Sequence, residues 1–216
     1  FAPDLAISYP EIDIICKGEG EVAIVELCSR LAEGKSYDDI PNLWIKKDGG
    51  KVIENQLTMV DMDDNPLIDV SIFEEARYYR PMAGKVYKMF PVEIFRGCPY
   101  TCRYCNSPWQ AALYKKEANT KFLRRKSFEK IEEELYFYKD EMQAEYLYFW
   151  SDTFFSWKRD DFYKFCDIYE GIKLPFWIQT RPETVKYDLF KKLKEIGCHR
   201  ISFGVEHGNH EFRKKV

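Results

Sequence analysis

Apolar and polar positions change rhythm once, near residue 90, along this chain of 216 residues. Residues 12–16, IDIIC, form a short apolar run suited to a buried strand, and KGEGE follows at once. Over residues 21–32, Val22, Ile24, Val25, Leu27, Cys28 and Leu31 recur at three- and four-residue steps, which predicts an amphipathic helix. Residues 43–47 and 51–55 flank Asp48-Gly49-Gly50, a hairpin signal. Beyond them Asp61, Asp63, Asp64, Pro66 and Pro81 interrupt any period. The chain therefore divides into a first unit over 1–58, a linker over 59–90 and a second unit over 91–216.

In the second unit strands and helices alternate. Strands are expected at 92–96, 146–150, 176–180 and 200–205. Ser127 is an N-cap for a helix whose inner face holds Phe128, Ile131, Leu135 and Tyr138. A second helix carries Phe162, Phe165, Cys166 and Tyr169, and a third runs through Leu189, Leu193 and Ile196 to Gly197 as its C′ residue. This order predicts a parallel α/β fold, wound open or closed as a barrel. Polar groups follow each strand: the cysteines near 100, Ser151-Asp152, Arg181 and Glu206-His207. Parallel α/β folds place their sites on that edge, so these groups should converge.

Composition narrows the function classes. With 45% hydrophobic and 32% charged residues the chain is an ordinary globular mixture. No apolar run approaches the roughly 18–20 residues of a membrane span, so a soluble protein is expected. A formal charge of −3 gives no global field to recruit nucleic acid or anionic lipid. Aromatic residues at 17% point to a large packed core and a stacking pocket. The chain opens FAPDLAISYP, without Met or a signal peptide, and ends HEFRKKV, which reads as a fragment cut at both ends in a reducing, cytoplasmic setting. Cys16, Cys28, Cys166 and Cys198 sit within apolar patterns and read as buried small hydrophobes.

Cys98, Cys102 and Cys105 are different, since RGCPYTCRYC crowds three thiols onto one loop after a strand. Soft thiolates suit zinc or an iron–sulfur cluster. Structural zinc usually closes with four ligands in paired C-x-x-C units, and no partner pair is present. A cubane cluster held by three cysteines leaves one iron open for chemistry. A non-catalytic zinc-binding module built on the same loop is the alternative.

The loop resembles the C-x3-C-x-aromatic-C motif of radical S-adenosylmethionine (SAM) enzymes, with Tyr104 as the aromatic. The resemblance implies a partial (β/α) barrel, of which about four of six strand–helix units are present. It also implies a [4Fe-4S] cluster on Cys98, Cys102 and Cys105, whose open iron chelates SAM. Reductive cleavage of SAM to a 5′-deoxyadenosyl radical would then abstract hydrogen from a small-molecule substrate. YFWSDTFF is similar to the family's F-x-D-D-x-F segment, which places Asp152 at the SAM amino group, with Ser151 in place of the first Asp. WIQTRPE resembles the third-strand ending and implies Arg181 at the methionine carboxylate, a partner suited to a guanidinium fork. ISFGVEHGN is similar to G-V-E-S-G and implies Glu206 at the ribose, with His207 where Ser is usual. Tyr104, Asp152, Arg181 and Glu206 are thus expected cofactor contacts. No residue is singled out as catalytic. An electron donor such as flavodoxin or ferredoxin is implied, and no specific nucleic acid.

The first unit contains Gly18-x-Gly20-x-x-Ala23, a formal dinucleotide fingerprint, but Glu19 and Glu21 would face the pyrophosphate where bare amides are needed. The run instead resembles the last strand and helix of the Rossmann-like cobalamin-binding domain that precedes the barrel in one radical SAM class, which includes methyltransferases and ring-forming enzymes. Residues 1–58 then read as the end of that domain. The resemblance implies cobalamin for the full-length protein; the cobalt-side Asp-x-His-x-x-Gly motif would lie before Phe1. Finally, Lys115, Lys116, Lys121, Arg124, Arg125 and Lys126 form a basic run, read as a solvated face or as a grip for an anionic partner.

Overall fold

The structure is a computed structural model and describes residues 2–215, so the outer limits expected at 1 and 216 lie outside the described residues. The chain forms two compact units, residues 1–65 with 110–122, and residues 66–109 with 123–216.

In the first unit α1 (Pro3–Ser8) precedes a small antiparallel sheet of β1 (Ile14–Cys16), β2 (Leu43–Lys46) and β3 (Val52–Glu54). The register pairs Ile15 with Trp44 and Ile45 with Ile53, and the expected Asp48-Gly49-Gly50 turn joins β2 to β3. Helix α2 (Glu21–Ala32) has the predicted bounds but another inner face. Ala23 and Leu27 pack with Ile40, Leu43 and Ile45, whereas Val22, Ile24, Val25, Cys28 and Leu31 are exposed. Its apolar residues exceed one face, and the small Ala23 lets the helix approach the sheet. Cys16 is exposed as well, so of the four scattered cysteines only Cys166 is fully buried and Cys198 is half-buried.

The GEGE loop is a structural joint. Gly18 has φ +90° and lies against the Tyr114 hydroxyl and Leu57. Glu19 is buried; its amide donates to the Tyr114 hydroxyl (3.0 Å) and its carboxylate accepts from the Val60 amide (2.8 Å). Tyr114 belongs to α3 (Ser107–Glu117), most of which falls in this unit and packs with Leu57 and Phe122.

The second unit is built on a five-stranded sheet in the order β10-β9-β8-β5-β4. Strand β4 (Tyr79–Met82) turns through Ala83 (φ 52°) and Gly84 (φ 81°) into β5 (Lys85–Val92), to which it is antiparallel. Strands β5, β8 (Tyr146–Phe149), β9 (Phe176–Thr180) and β10 (Cys198–Phe203) are parallel. The first parallel strand thus lies earlier than the expected 92–96. Phe95–Arg96 is instead a two-residue strand, β6, paired with β7 (Arg124–Arg125). The hairpin into β5 was masked because Asp and Pro dominate the segment and its turn is Ala-Gly.

Helices α4 (Phe128–Tyr136), α5 (Arg159–Ile172) and α6 (Tyr187–Glu195) cover one face of the sheet. Ser127 caps α4 by accepting from the Lys130 amide (3.1 Å), as expected, and a wide π-helical turn over 137–141 extends it. The core they enclose is aromatic: Phe149 is 2% exposed and meets Phe154, Phe165, Tyr169 and Phe176 at centroid distances of 5.3–5.8 Å. The order strand, loop, helix is that of a partial (β/α) barrel. A short α7 (His210–Arg213) follows β10.

Lys126 departs from the basic run's expected solvent exposure. It is 6% exposed, and its ammonium donates to both oxygens of buried Glu134 on α4 (2.7 and 2.8 Å).

Candidate cluster and cofactor site

The cysteine loop leaves the sheet through β6, whose last residue precedes Gly97 (φ 94°), a conformation that releases the chain before Cys98. The loop then curls on itself, with the Cys105 amide donating to the Cys102 carbonyl (3.1 Å). None of the three cysteines is in a disulfide; Cys98 and Cys102 are half-buried and Cys105 is exposed. Burial pushes the Cys98 thiol up; a backbone hydrogen bond at Tyr100 opposes this, and Asp152, Cys102 and Cys105 add to it. Ligation to a metal centre would displace that proton.

The other expected residues stand at strand ends around this loop. Arg181, just after β9, donates to the Cys102 sulfur (2.8 Å), packs its guanidinium over the Tyr100 ring (4.3 Å) and bonds Glu183 at 3.3 and 3.2 Å. Burial lowers the Arg181 pKa, but Glu183 and Cys102 outweigh it, and the group stays a cation. Asp152, after β8, accepts from the Ser107 hydroxyl (3.1 Å), and the Ser107 amide donates to the Cys105 sulfur (3.5 Å). Glu206, after β10, has φ +67°, a left-handed conformation costly for a residue with a side chain. A Cβ on Gly204 would come within 2.6 Å of the Glu206 carboxylate, so the glycine makes room for it. The Tyr104 hydroxyl is pushed up to about 12, first by desolvation and then by Cys102 and Glu206.

Cys102, Tyr104, Arg181 and Glu206 line one cavity of about 400 Å³, together with Glu183, His210 and Arg213. Cys98, Cys105 and Asp152 lie outside that lining and join it through Ser107 and the loop backbone. Sequence reasoning missed Ser107, Tyr100 and Glu183. Ser107 carried a signal, since hydroxyl residues favour helix starts and this one opens α3 directly after the motif.

The donor set fits an iron–sulfur cluster: three free thiols on one loop, of which Cys102 lines a cavity with a cation and a carboxylate on its walls. Beside Asp152 the buried Ser151 hydroxyl has no hydrogen-bond partner among the described residues, an orphan that a polar ligand would satisfy. Among the described residues no three His, Cys, Asp or Glu side chains gather at single-ion distance.

The loop of thiols after β6 thus lies in an α/β core whose parallel strands end in a guanidinium and carboxylates. Residues 92–216 match the Radical SAM superfamily, so the chain belongs to that family. Membership implies a [4Fe-4S] cluster and SAM. Along 95% of its length the chain is 28% identical to Uncharacterized methyltransferase PH0819 of Pyrococcus horikoshii, of which it spans 43%. A match of 28% identity over 109 residues links it to the cobalamin-dependent radical SAM methyltransferase TokK of Streptomyces tokunonensis, covering 15% of that protein. Among solved structures, the cobalamin-dependent S-adenosylmethionine radical enzyme OxsB shares the fold over 100% of this chain and 31% of its own (TM-score 0.70, 21% identity). The radical SAM methyltransferase TsrM of Kitasatospora setae shares it over 97% of this chain and 40% of its own (TM-score 0.62, 18% identity). The likeness therefore runs through both units. No described helix is long and apolar enough to cross a membrane.

Proposed function

We propose that this chain carries the cluster- and SAM-binding part of a cobalamin-dependent radical SAM enzyme, with residues 1–58 as the end of the cobalamin-binding domain, 59–90 as linker and 91–216 as radical SAM core. The observation that carries the reading is the convergence of Cys102 and Tyr104 of the cysteine loop, Arg181 after β9 and Glu206 after β10 on one cavity. Cys98, Cys102 and Cys105 hold the cluster. When bound, it supplies the electron that cleaves SAM to a 5′-deoxyadenosyl radical, for hydrogen abstraction or cobalamin-dependent methyl transfer. Arg181 pairs with the methionine carboxylate through its fork, and Tyr100 beneath it fixes the plane of that fork. Asp152, oriented by Ser107, takes the amino group, and Glu206 accepts from the ribose hydroxyls. Tyr104, kept protonated, closes the cavity beside Cys102. The substrate is a small molecule, the electron donor a flavodoxin or ferredoxin, and the setting the reducing cytoplasm, where free thiols persist.

The test is a SAM titration of the cluster-loaded chain. Arg181→Ala and Glu206→Ala should each weaken SAM binding about ten- to a hundredfold, the worth of one charged hydrogen bond, while iron content stays unchanged. Unchanged affinity in both variants would remove these side chains from the cofactor site.

A further inference from the structure

The sheet face opposite α4, α5 and α6 carries a row of aromatic rings that the cofactor contacts leave unused. Strand alternation puts Tyr148 and Trp150 on that face along β8 and its continuation, Trp177 and Gln179 along β9, and Ser202 on β10. Their neighbours Phe149, Phe176, Ile178 and Ile201 belong to the helix-side core. The register confirms the grouping, since Tyr148 pairs with Trp177 and Gln179 with Ser202. The Trp150 amide donates to the Val92 carbonyl (2.8 Å), so the ladder with β5 runs one residue past β8.

These rings are held by their neighbours: the Arg80 guanidinium lies over the Tyr148 ring (5.5 Å), and Trp150 stands open. Tyr148 is 8% exposed and sits tilted against Trp177 at 6.2 Å. The Trp177 indole donates to the Ser202 hydroxyl (3.0 Å), which locks its orientation. Trp150 stands edge-on to Tyr148 (6.4 Å, 78°) and is 61% exposed. The half-buried Gln179 side chain has no hydrogen-bond partner among the described residues. Two residues further along the chain, Trp150 is followed by Asp152 and Gln179 by Arg181. Two residues before two of the proposed SAM contacts, the chain thus offers an exposed indole braced by two further rings, and an amide without a partner among the described residues.

We propose that Trp150, braced by Tyr148 and Trp177 and flanked by Gln179, is the substrate wall of this site, and that the substrate presents a planar aromatic or heteroaromatic ring to it. The inference rests on the proposed function, which places SAM beside this wall. A ring fits better than an aliphatic chain because it gains stacking on an indole face beyond its buried area. The Gln179 amide offers one donor edge and one acceptor, which suits a polar substituent on the ring's rim.

Benzamide and cyclohexanecarboxamide share a neutral amide and similar size and differ in ring character. Their binding to the cluster-loaded full chain with SAM present, read by saturation-transfer NMR, tests the wall. Benzamide should bind about tenfold more tightly, a preference kept in Trp150→Phe and lost in Trp150→Ala. SAM affinity, measured in the same samples, should not change. Equal binding of the two amides, or a preference that survives Trp150→Ala, overturns the proposal. Loss of SAM affinity in Trp150→Ala overturns it too, because the wall would then belong to the cofactor. Failure of the proposed function reads differently: the chain would take up neither cluster nor SAM, whatever its preference between the amides.

Discussion

Replacing Lys126 by Met should destabilise the second unit by about 3–5 kcal/mol, because it strands a buried carboxylate. Both ends of the pair are buried, and the ammonium spans both Glu134 oxygens at 2.7 and 2.8 Å. With the cation gone, Glu134 must stay charged in a dry site or take up a proton, and neither restores the lost bonds. Against a domain stability of about 5–15 kcal/mol this is a large fraction. The loss should spread to the cysteine loop: the Lys126 amide donates to the Ile94 carbonyl (3.1 Å), and β7 just before it pairs with β6, the stem of that loop. Because the chain has two units, hydrogen exchange of the α4 amides is a better assay than a global melt. Protection there should fall by about two to four orders of magnitude in Lys126→Met. The double variant Lys126→Met with Glu134→Leu should recover most of it, since an apolar pair of similar volume removes the unpaired charge. Protection lost by less than tenfold in Lys126→Met would show that the buried pair does not hold α4 in place.

Two further outcomes test other parts of the structure. Gly18→Ala should lower thermal stability by at least about 1–2 kcal/mol, since φ is +90° and a Cβ would lie 2.6 Å from the Tyr114 hydroxyl and 2.7 Å from Leu57; an unchanged melt would contradict that geometry. Desolvation raises the Cys166 pKa to about 12, so at pH 8 only about one molecule in ten thousand carries its thiolate. Iodoacetamide should modify exposed Cys28 in the native chain and reach Cys166 only after unfolding, as mass spectrometry of peptides would show; equal labelling rates would contradict the burial.

How much of this was legible in the sequence varied with whether the signal was local. Helix α2, the Asp48-Gly49-Gly50 hairpin, the Ser127 cap and the three later parallel strands follow periods and caps that act within a few residues. The first parallel strand lies earlier than expected because the Ala83-Gly84 turn that starts it carries a weak signature, while Val92, Ile94 and Phe95 offer a competing apolar run. Burial depends on partners far along the chain. Nothing near Lys126 marks it for the interior, since Glu134 is reached only once α4 folds over β7. Likewise α2 offers more apolar residues than the small sheet beside it can cover. The cysteine loop and the residues ending each strand were legible by motif and order. The contacts of Ser107, Tyr100 and Glu183 were not, because each touches another candidate residue rather than forming a pattern of its own.

Cluster binding by the three-thiol loop underlies every proposed role in this site, and anaerobic reconstitution with iron and sulfide tests it. The chain should become brown and, once reduced, give the electron paramagnetic signal of a [4Fe-4S] cluster that shifts on adding SAM. Replacing Cys98, Cys102 or Cys105 by Ala should each abolish the signal, while Cys28→Ala keeps it. A signal that survives Cys102→Ala, or a colourless protein that retains zinc instead, would contradict the account.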